Sequence, residues 1–433
     1  MPYLLNLVYV VLLCAASPWL LWSAIRKGKY RRGYAEKLLG RVPHRDDVQP
    51  CIWFHAVSAG EVILLEALLQ RFRRDLPNWK YVISTTTNTG YEIAKKRYPE
   101  LTVFFCPLDF SWSVRTALRR VRPDMLVLAE LELWPNLIRE ARRVGVKVAL
   151  VNGRLSERSA RGYARIRWLI APLLRSLDVI AVQTTEYAER FVDLGADRRA
   201  VEVTGSMKFD GAVQDRDNGH TQRLAKLAGI ASSDVVFLAG STQAPEEALA
   251  IDSFRTLKDE FPDLRLILVP RHPERFAEVA QLLDQSGLAW QRRSDLAADR
   301  LASARVLLID TMGELAAWWG VADIGYVGGS MGSRGGQSMI EPAAFGLATS
   351  FGPKTHNFKD VVRLMLQRDA AVVVDSGTEL TAFVRRCLVD VDWRGRLGVR
   401  ASELVAKQMG AADVTLTLLK NQMPGERIYR EAA

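Results

Sequence analysis

The chain has 433 residues, of which 48% are hydrophobic and 25% are charged, and its formal net charge is +10. This length predicts two domains with sizeable cores, and the composition excludes a disordered or low-complexity chain. The positive charge leaves nucleic acid, a membrane surface and an acidic substrate as candidate partners. The four cysteines and five histidines are dispersed along the sequence, which excludes a zinc-binding spacing and favours free thiols in a reducing compartment.

The N-terminal stretch is the first predicted element. Residues 1–25 contain no charged side chain, and five basic residues follow between Arg26 and Arg32. An apolar stretch of this length matches the roughly 20 residues that span a bilayer, and a basic C-terminal flank is retained in the cytoplasm. We therefore predict a single uncleaved membrane anchor at residues 1–25, with the rest of the chain on the cytoplasmic side. A cleaved signal peptide and a buried helix are the alternatives.

From Cys51 onward, short apolar runs alternate with helical patterns, which indicates βαβ units and a parallel sheet. In the first half, the strands are followed by polar or glycine-containing turns. The clearest are Ser58-Ala59-Gly60-Glu61, TTTNTG at 85–90, ELELWP at 130–135, NGR at 152–154 and GSMK at 205–208. Ligands bind at the carboxyl ends of the strands in open α/β sheets, so we predict a functional face from these turns together.

A second α/β series starts at Val235, after residues 211–233, which lack a strand pattern and are predicted to be a linker. Three strand–turn–helix patterns then follow one another within residues 309–357. Their turns are Thr311-Met312-Gly313, Gly328-Gly329-Ser330 and Gly352-Pro353. Backbone N–H groups and helix N-termini at such turns suit a phosphate, so this stretch predicts a nucleotide site. The alternative is that these glycines only make tight turns.

The predicted fold class is therefore α/β, with two Rossmann-like, doubly wound domains facing a cleft and an additional N-terminal anchor helix. We assign residues 26–210 to the first domain and residues 211–433 to the second. A cleft between two such domains is the usual place for the active site of an enzyme with two substrates.

The chain resembles the family of 3-deoxy-D-manno-oct-2-ulosonic acid (Kdo) transferases, the membrane-anchored glycosyltransferases of lipopolysaccharide assembly. The resemblance runs from the anchor to about residue 365. The motifs that carry it are RGYAEKLLGR at 32–41, WFHAVSAGE at 53–61, TTTNTG at 85–90, PLD at 107–109, ELELWPN at 130–136, NGRLSERS at 152–159, GSMKFD at 205–210, AGST at 239–242, PRHPERF at 270–276, DTMGEL at 310–315, GYVGGS at 325–330, EPAAFG at 341–346, GP at 352–353 and NFKD at 357–360.

The resemblance implies the two-domain GT-B arrangement, with an acceptor-binding first domain and a donor-binding second domain. It also implies CMP-Kdo as the donor, a lipid A precursor as the acceptor, a bacterial inner-membrane location, and inverting transfer without a metal or cofactor. Asp390-Val391-Asp392 matches the Asp-x-Asp metal motif of another glycosyltransferase class. Because it falls among terminal helices and away from any strand end, we interpret it as a chance match.

For the acceptor half, the resemblance makes Glu36 the base that removes the proton from the acceptor hydroxyl, with a pKa raised by desolvation. Glu130 is the alternative catalytic acid, together with Glu132, and both could instead cap the following helix. The loop Ser58-Ala59-Gly60-Glu61 is expected to hold an acidic group such as the sugar carboxylate. Its alternative role is an ordinary helix cap.

For the donor, the resemblance implies one set of CMP-Kdo-binding residues: Lys208, Gly240, Ser241, Arg271, His272, Met312, Gly313, Glu314, Gly328, Gly329, Ser330, Glu341 and Asn357. The N–H groups of residues 328–330 would hold the phosphate, and Arg271 would neutralise the leaving group. Residues 312–314 would line the cytosine, and Glu341 would accept hydrogen bonds from the ribose. The alternatives are a salt bridge between Arg271 and Glu274, a helix-terminal role for Glu341, a solvated Lys208, and a turn fixed by Asn357.

Three positions in the second half, Gln243, Gln337 and Lys354, depart from the family pattern. They leave open a GT-B transferase for another nucleotide sugar, such as a UDP-sugar, or a membrane-tethered, non-catalytic homologue that binds a nucleotide sugar. Nucleic-acid binding is not expected, because there is no RNP-like or zinc motif. The basic residues concentrate near the anchor and in residues 139–175, which suits an anionic membrane surface better.

Overall fold

The computed structural model describes residues 2–27 and 32–423, so that Met1, residues 28–31 of the basic stretch after the predicted anchor, and residues 424–433 lie outside it. The described chain forms two compact α/β units. The first contains the described residues up to Gly211 together with those from Met409 onward, and the second is Ala212–Gln408. The predicted class of two Rossmann-like, doubly wound α/β domains is confirmed.

The first unit begins with a helix and a short helical turn that precede its sheet. The helix α1 spans Pro2–Lys27, and α2 spans Tyr34–Leu39. Within residues 2–27 and 32–423, no helix combines the length and the apolarity that a bilayer-spanning segment needs. The predicted anchor at residues 1–25 is therefore not supported by the structure.

The sheet of the first unit has seven parallel strands. They are β1 (Cys51–His55), β2 (Lys80–Thr85), β3 (Thr102–Phe105), β4 (Met125–Ala129), β5 (Lys147–Gly153), β6 (Val179–Val182) and β7 (Val201–Val203). Their order is β3-β2-β1-β4-β5-β6-β7. Strands β1 and β4 are buried along their whole length, as expected for a parallel sheet that is covered on both faces.

Helices cover both faces of this sheet. They are α3 (Ala59–Asp75), α4 (Asn88–Arg97), α5 (Ser111–Val121), α6 (Pro135–Arg143), α7 (Glu157–Ala164), α8 (Arg167–Leu174) and α9 (Thr185–Asp193). Because β1 and β4 are neighbours, the order of the strands reverses between them. The carboxyl ends of these two strands form the switch point at which open α/β sheets bind ligands.

The second unit repeats this plan with another seven-stranded parallel sheet. Its strands are β8 (Val235–Thr242), β9 (Leu264–Pro270), β10 (Trp290–Arg292), β11 (Val306–Leu308), β12 (Ile324–Val327), β13 (Ala348–Phe351) and β14 (Val372–Val373). The order is β10-β11-β9-β8-β12-β13-β14, which places the switch point between β8 and β12. The turns that follow these two strands carry Gly240-Ser241 and Gly328-Gly329-Ser330.

Its helices are α10 (Gly219–Leu227), α11 (Glu246–Leu257), α12 (Phe276–Ser286), α13 (Leu315–Val321), α14 (Ile340–Ala344), α15 (Lys359–Gln367), α16 (Gly377–Val389) and α17 (Val391–Gln408). The prediction that residues 211–233 form a linker is wrong in part, because this stretch contains α10. Thr221, Leu224 and Leu227 are buried, so that α10 belongs to the packed body of the second unit.

The last helix, α18 (Ala411–Lys420), returns to the first unit. Ala411, Leu416 and Leu419 are buried in the core cluster that also contains β1 and β4 side chains. Asp210 caps this helix by accepting hydrogen bonds from the N–H groups of Gly410 at 2.5 Å and Ala412 at 2.7 Å. The assignment of all residues from 211 to 433 to the second domain is therefore wrong for the described residues after Gln408.

Candidate functional site

Three glutamate carboxylates lie at the switch point of the first sheet. Glu61 follows β1, and Glu130 and Glu132 follow β4. Burial is the main cause that raises the pKa of Glu61 to about 7, and hydrogen bonds from Ser58 and Val57 oppose this rise. The negative charges of Glu132 and Glu130 raise the same pKa further, which shows that the three carboxylates are close enough to interact.

The loop before α3 uses its polar groups within the protein. Ser58 accepts a hydrogen bond from the N–H of Glu61, and its hydroxyl donates to Glu61 Oε1 at 2.7 Å. The second oxygen, Oε2, accepts from the N–H of Val57 at 2.8 Å. This reciprocal pattern resembles a capping box, except that Glu61 accepts from the N–H of Val57 and not from that of the N-cap residue Ser58. It is the helix-cap role that the sequence allowed for residues 58–61. Ala59 and Gly60 begin α3 directly behind this cap.

Glu130 adopts the left-handed backbone conformation, with φ of 55°. Its Oε1 lies 3.7 Å from Nζ of Lys208, so that the structure brings together two of the predicted site residues. The loop that carries Lys208 is fixed by Asn152, whose Oδ1 accepts a 3.1 Å hydrogen bond from the N–H of Met207. Glu132 is turned to Trp134, whose indole N–H donates to it at 2.9 Å, and burial raises the pKa of Glu132.

Glu36 lies on α2, at the carboxyl end of β3. Its Oε2 accepts a 2.7 Å hydrogen bond from the N–H of Phe105, the last residue of that strand. The other oxygen, Oε1, has no hydrogen-bond partner in residues 2–27 and 32–423. The Phe105 ring stacks on Tyr91, with ring centroids 4.6 Å apart, and Nζ of Lys37 lies 4.2 Å from its centroid. Glu36 is thus a half-buried carboxylate with one oxygen held and one oxygen open.

At the switch point of the second sheet, the expected phosphate-binding amides already have partners. The N–H of Gly328 donates to the carbonyl of Gly240 at 2.9 Å. The N–H groups of Gly329 and Ser330 donate to the carboxylate of Glu246, at 2.7 and 2.8 Å. The prediction that these three N–H groups hold a phosphate is therefore wrong, because none of them is open to a ligand.

Glu246 is the buried centre of this turn, with a relative exposure of 1%. It also accepts hydrogen bonds from the N–H groups of Gln243 and Met331, both at 2.9 Å, and from the hydroxyl of Tyr326 at 3.0 Å. A Cβ on Gly328 would come within 2.8 Å of Glu246 Oε2 and within 2.5 Å of Thr242 Cα. Glycine is therefore needed at position 328 for this close approach.

Gly240 and Ser241 lie near the end of β8, and the contacts and backbone conformation observed there concern the fold of the turn. A Cβ on Gly240 would come within 2.4 Å of the Trp319 ring, so glycine lets that buried ring pack against the strand. Ser241 is left-handed, with φ of 55°. Both residues border the turn that encloses Glu246.

Arg271 and Glu341 are two predicted donor-binding residues that lie near enough for their charges to interact. Burial raises the pKa of Glu341, and the positive charge of Arg271 counteracts part of this rise. The Arg271 side chain is exposed, and it forms no ion pair within the described part of the chain. Its neighbour His272 is half-buried and precedes the short helical turn Pro273–Arg275.

The predicted alternative, a salt bridge between Arg271 and Glu274, is not formed. Arg275 instead makes the ion pairs of this loop, to Glu247 at 2.6 Å and to Glu278 at 2.8 Å. Glu247 is completely buried, and the Arg275 guanidinium neutralises it. Residues 271 and 275 thus have different surroundings although they belong to one motif.

The turn after β11 presents Met312, which is 59% exposed, and Gly313, which has φ of 91°. Glu314 behind them is held by Arg293 through two hydrogen bonds of 2.9 and 3.0 Å. Burial raises the pKa of Glu314, but the hydrogen bonds from Thr311 and Arg293 outweigh it and keep this pKa below its usual range.

Asn357 fixes a turn. Its side chain donates to the carbonyl of Arg334 at 2.7 Å, and its backbone N–H donates to the carbonyl of Gly335 at 3.0 Å.

The described residues contain no group of three or more His, Cys, Asp or Glu side chains that could hold a metal ion.

Sequence reasoning missed Glu246 and Arg275 as structural members of the donor-side turn. The available signal was weak. Glu246 and Glu247 open a helix directly after a strand, and acidic residues are common in the first turn of a helix. Which amides such a carboxylate reaches depends on strand order, because Glu246 and Ser330 meet only when β8 and β12 become neighbours.

Comparisons with known proteins identify the family of this chain. Residues 29–211 match the family model described as 3-deoxy-D-manno-octulosonic-acid transferase (kdotransferase). The 3-deoxy-D-manno-octulosonic acid transferase of Bordetella pertussis is 33% identical over 432 residues, which cover 96% of this chain and 98% of that protein. The chain belongs to the Kdo transferase family. The 3-deoxy-D-manno-octulosonic acid transferase of Haemophilus influenzae is 32% identical over 372 residues, which cover 85% of this chain and 86% of that protein.

Membership of the Kdo transferase family makes the protein an enzyme of a glycosyltransferase family, as its motifs predicted. The structure of the UDP-GlcNAc 2-epimerase from Neisseria meningitidis bound to UDP-GlcNAc is also similar, with a TM-score of 0.57. It covers 86% of this chain and 100% of that chain at 11% identity. At this identity the similarity concerns the fold alone, and it agrees with two Rossmann-like units in this Kdo transferase family member.

Proposed function

We propose that this protein transfers Kdo from CMP-Kdo to a lipid A precursor, with inversion and without a metal ion or cofactor, in lipopolysaccharide biosynthesis. Family membership supports the reaction, because the relatives at 32–33% identity are named Kdo transferases. The observation that carries the mechanism is the hydrogen bond from the N–H of Phe105 to Glu36 Oε2 at 2.7 Å. It fixes one carboxylate oxygen and leaves Oε1 to accept a proton.

In this mechanism Glu36 removes the proton from the acceptor hydroxyl as its oxygen attacks the anomeric carbon of Kdo. The bond from that carbon to the phosphate oxygen of CMP breaks at the same time, and CMP leaves with the electron pair. Arg271 supplies the positive charge for this leaving group, because its guanidinium is exposed and has no ion-pair partner among the described residues. Since Glu246 occupies the glycine-rich turn, side chains rather than the amides of that turn stabilise the phosphate.

We propose that the remaining donor contacts come from groups around this charge. The half-buried carboxylate of Glu341, which interacts with Arg271, would accept hydrogen bonds from the ribose hydroxyls. The exposed Met312 and the left-handed Gly313 would lie against the cytosine, and His272 would border the phosphate. On the acceptor unit, Glu130 holds Lys208 as a positively charged partner for the Kdo carboxylate.

A second candidate donor follows from the positions that depart from the family pattern. A Cβ on Gly329 would come within 3.4 Å of Gln337 Nε2 and 3.7 Å of Gln243 Nε2. The N–H of Lys354 donates to the carbonyl of Ser330 at 2.8 Å. All three departures therefore surround one turn at the donor-side switch point, which favours another nucleotide sugar as the alternative donor.

Competition calorimetry distinguishes the two donors. We expect CMP to bind to the purified protein and UDP to bind at least about tenfold more weakly, which corresponds to roughly 1.4 kcal/mol. Tighter binding of UDP than of CMP would contradict CMP-Kdo as the donor. Binding of CMP with no transfer to a lipid A precursor would instead support a non-catalytic homologue.

We also propose that the enzyme works at the anionic cytoplasmic surface of a bacterial inner membrane, where its acceptor resides. Large aromatic side chains exposed to solvent support this location, since tryptophan favours the membrane interface. Trp19 of α1 is 57% exposed and Trp168 of α8 is 66% exposed. Co-sedimentation with vesicles tests this: binding should require anionic lipid and weaken with salt. Equal binding to neutral vesicles would contradict it.

A further inference from the structure

The N-terminal helix α1 contacts the first unit through buried polar side chains. Asn6 is 7% exposed although it lies in an apolar sequence. Its Nδ2 donates to the hydroxyl of Ser111 at 2.7 Å, and its Oδ1 accepts from the N–H of Ser111 at 3.0 Å. Asn6 Oδ1 also accepts from the side chain of Asn136 at 3.3 Å. Asn6 therefore caps the first turn of α5 and reaches the start of α6.

One helical turn later, Tyr9 contacts the loop before α5. Its hydroxyl donates to Asp109 Oδ2 at 3.0 Å. Asp109 is 6% exposed and also accepts from the N–H groups of Asn136 at 2.9 Å and Leu137 at 2.8 Å. Burial raises the pKa of Asp109 to about 6, against these hydrogen bonds. Tyr9 thus helps to satisfy a buried carboxylate that caps α6.

The same loop and helix hold α2, which carries Glu36. The N–H of Leu108 donates to the carbonyl of Lys37 at 2.8 Å, and the hydroxyl of Ser113 donates to the same carbonyl at 3.0 Å. The indole N–H of Trp112 donates to the carbonyl of Leu38 at 3.0 Å. These three donors lie within five residues of Asp109 and Ser111, which are the residues that α1 binds.

Helix α2 cannot define its own position. It has six residues, none of them buried, and so short a helix is not stable alone. Its end is fitted closely to α5, since a Cβ on Gly40 would come within 1.9 Å of the Ser113 carbonyl oxygen. The orientation of Glu36 therefore depends on the loop and on the first turn of α5.

We infer that Asn6 and Tyr9 are positioning residues for Glu36, which act through the segment 108–113 and α2. This inference rests on the proposed role of Glu36 as the base. It gives α1 a part in catalysis that is separate from any contact with a membrane. A displacement of about 1 Å at a reacting group reduces turnover on the order of 100-fold, so loss of these contacts should lower kcat.

The test compares two faces of α1 in the full-length protein, with acceptor in detergent so that membrane attachment has no influence. Asn6→Leu and Tyr9→Phe remove the polar contacts, and Leu7→Ala is the matched control, because Leu7 is 60% exposed. We expect kcat to fall at least tenfold in Asn6→Leu and severalfold in Tyr9→Phe. The KM for the donor and the affinity for CMP should stay within twofold in all three variants, and kcat should be unchanged in Leu7→Ala.

Hydrogen exchange gives a readout that does not depend on activity. The amide of Phe105, which donates to Glu36, should exchange faster in Asn6→Leu while the amides of β4 keep their protection. Asn6→Asp keeps the acceptor oxygen and should recover part of the lost kcat. Unchanged kcat and unchanged exchange at Phe105 would overturn the inference, as would a general loss of protection. If the Glu36→Gln variant remains active, the proposed role of Glu36 as the base is wrong. This result is distinguishable from failure of the positioning inference, which is tested on the α1 variants.

Discussion

The carboxylate of Glu246 accepts a 2.8 Å hydrogen bond from the backbone N–H of Ser330, across the switch point of the second sheet. A protein carboxylate thus takes the amides of a turn whose sequence suggests a phosphate site. The Glu246 carboxylate holds the turn in shape, and these amides are not available to the phosphate of the proposed donor.

Replacement of Glu246 by glutamine tests this interpretation. The amide of glutamine has a single acceptor oxygen and places an NH₂ group against backbone donors, so several buried N–H groups lose their partner. We expect the free energy of unfolding to fall by about 3 kcal/mol, as measured by urea denaturation. Glu403→Gln, at an exposed position on α17, should change it by less than about 0.5 kcal/mol. A Glu246→Gln protein as stable as the wild type would contradict the internal role.

The two arginines of the loop after β9 should respond in opposite ways. Arg271→Ala should leave the free energy of unfolding within about 0.5 kcal/mol, because the side chain is exposed and has no ion pair in the described chain. It should weaken CMP binding on the order of 10- to 100-fold, through loss of a charged hydrogen bond to phosphate.

Arg275→Ala should instead destabilise the protein by about 3 kcal/mol or more, because it leaves the buried Glu247 without its 2.6 Å partner. Calorimetry with CMP and urea denaturation of both variants provide the measurement. An unstable Arg271→Ala protein or a fully stable Arg275→Ala protein would show that the two roles are assigned incorrectly.

The strands were predictable because buried parallel strands form continuous apolar runs. Three such runs in the sequence, TVFF at 102–105, MLVLA at 125–129 and IGYV at 324–327, form β3, β4 and β12 over these same residues. No strand was predicted at β10 or β14, because edge strands of three and two residues are too short to produce a recognisable pattern. The strand ends therefore predicted the ligand-binding edge of each sheet, but not the strand order that sets the switch points, nor which side chain bonds to which amide there.

Long-range packing explains the remaining errors. The helical pattern of α18 shows an apolar face but not which sheet covers it, and the cap from Asp210 lies about 200 residues away in the chain. The polar Asn6 could be read only as a minor interruption of an apolar stretch. Its contact with Ser111 bridges 105 residues, and no local pattern carries this information.

The stability of the first unit should depend on the ionisation of Glu61. Its folded-state pKa is raised from 4.5 to about 7, so the stabilisation from its proton is complete below about pH 4.5 and is lost as the pH rises through 7. The loss is up to about 3 kcal/mol. Glu61→Gln does not titrate, and its stability relative to the wild type should therefore increase between pH 5 and pH 8.

Urea denaturation at these two pH values measures this difference. Glu202→Gln, an exposed position on β7, serves as the control and should show a difference that does not change with pH. A pH-independent difference for Glu61→Gln would contradict the raised pKa of this carboxyl group.

The most direct test of the account is the mass of the lipid product formed by purified protein from a tetraacylated lipid A precursor and CMP-Kdo. The wild type and Glu202→Gln should add the mass of one or more Kdo residues. Glu36→Gln should bind CMP normally and form product at least about 100-fold more slowly, as expected for loss of a general base. Product formation by Glu36→Gln at the wild-type rate, or no mass gain from folded, CMP-binding wild type, would contradict the account.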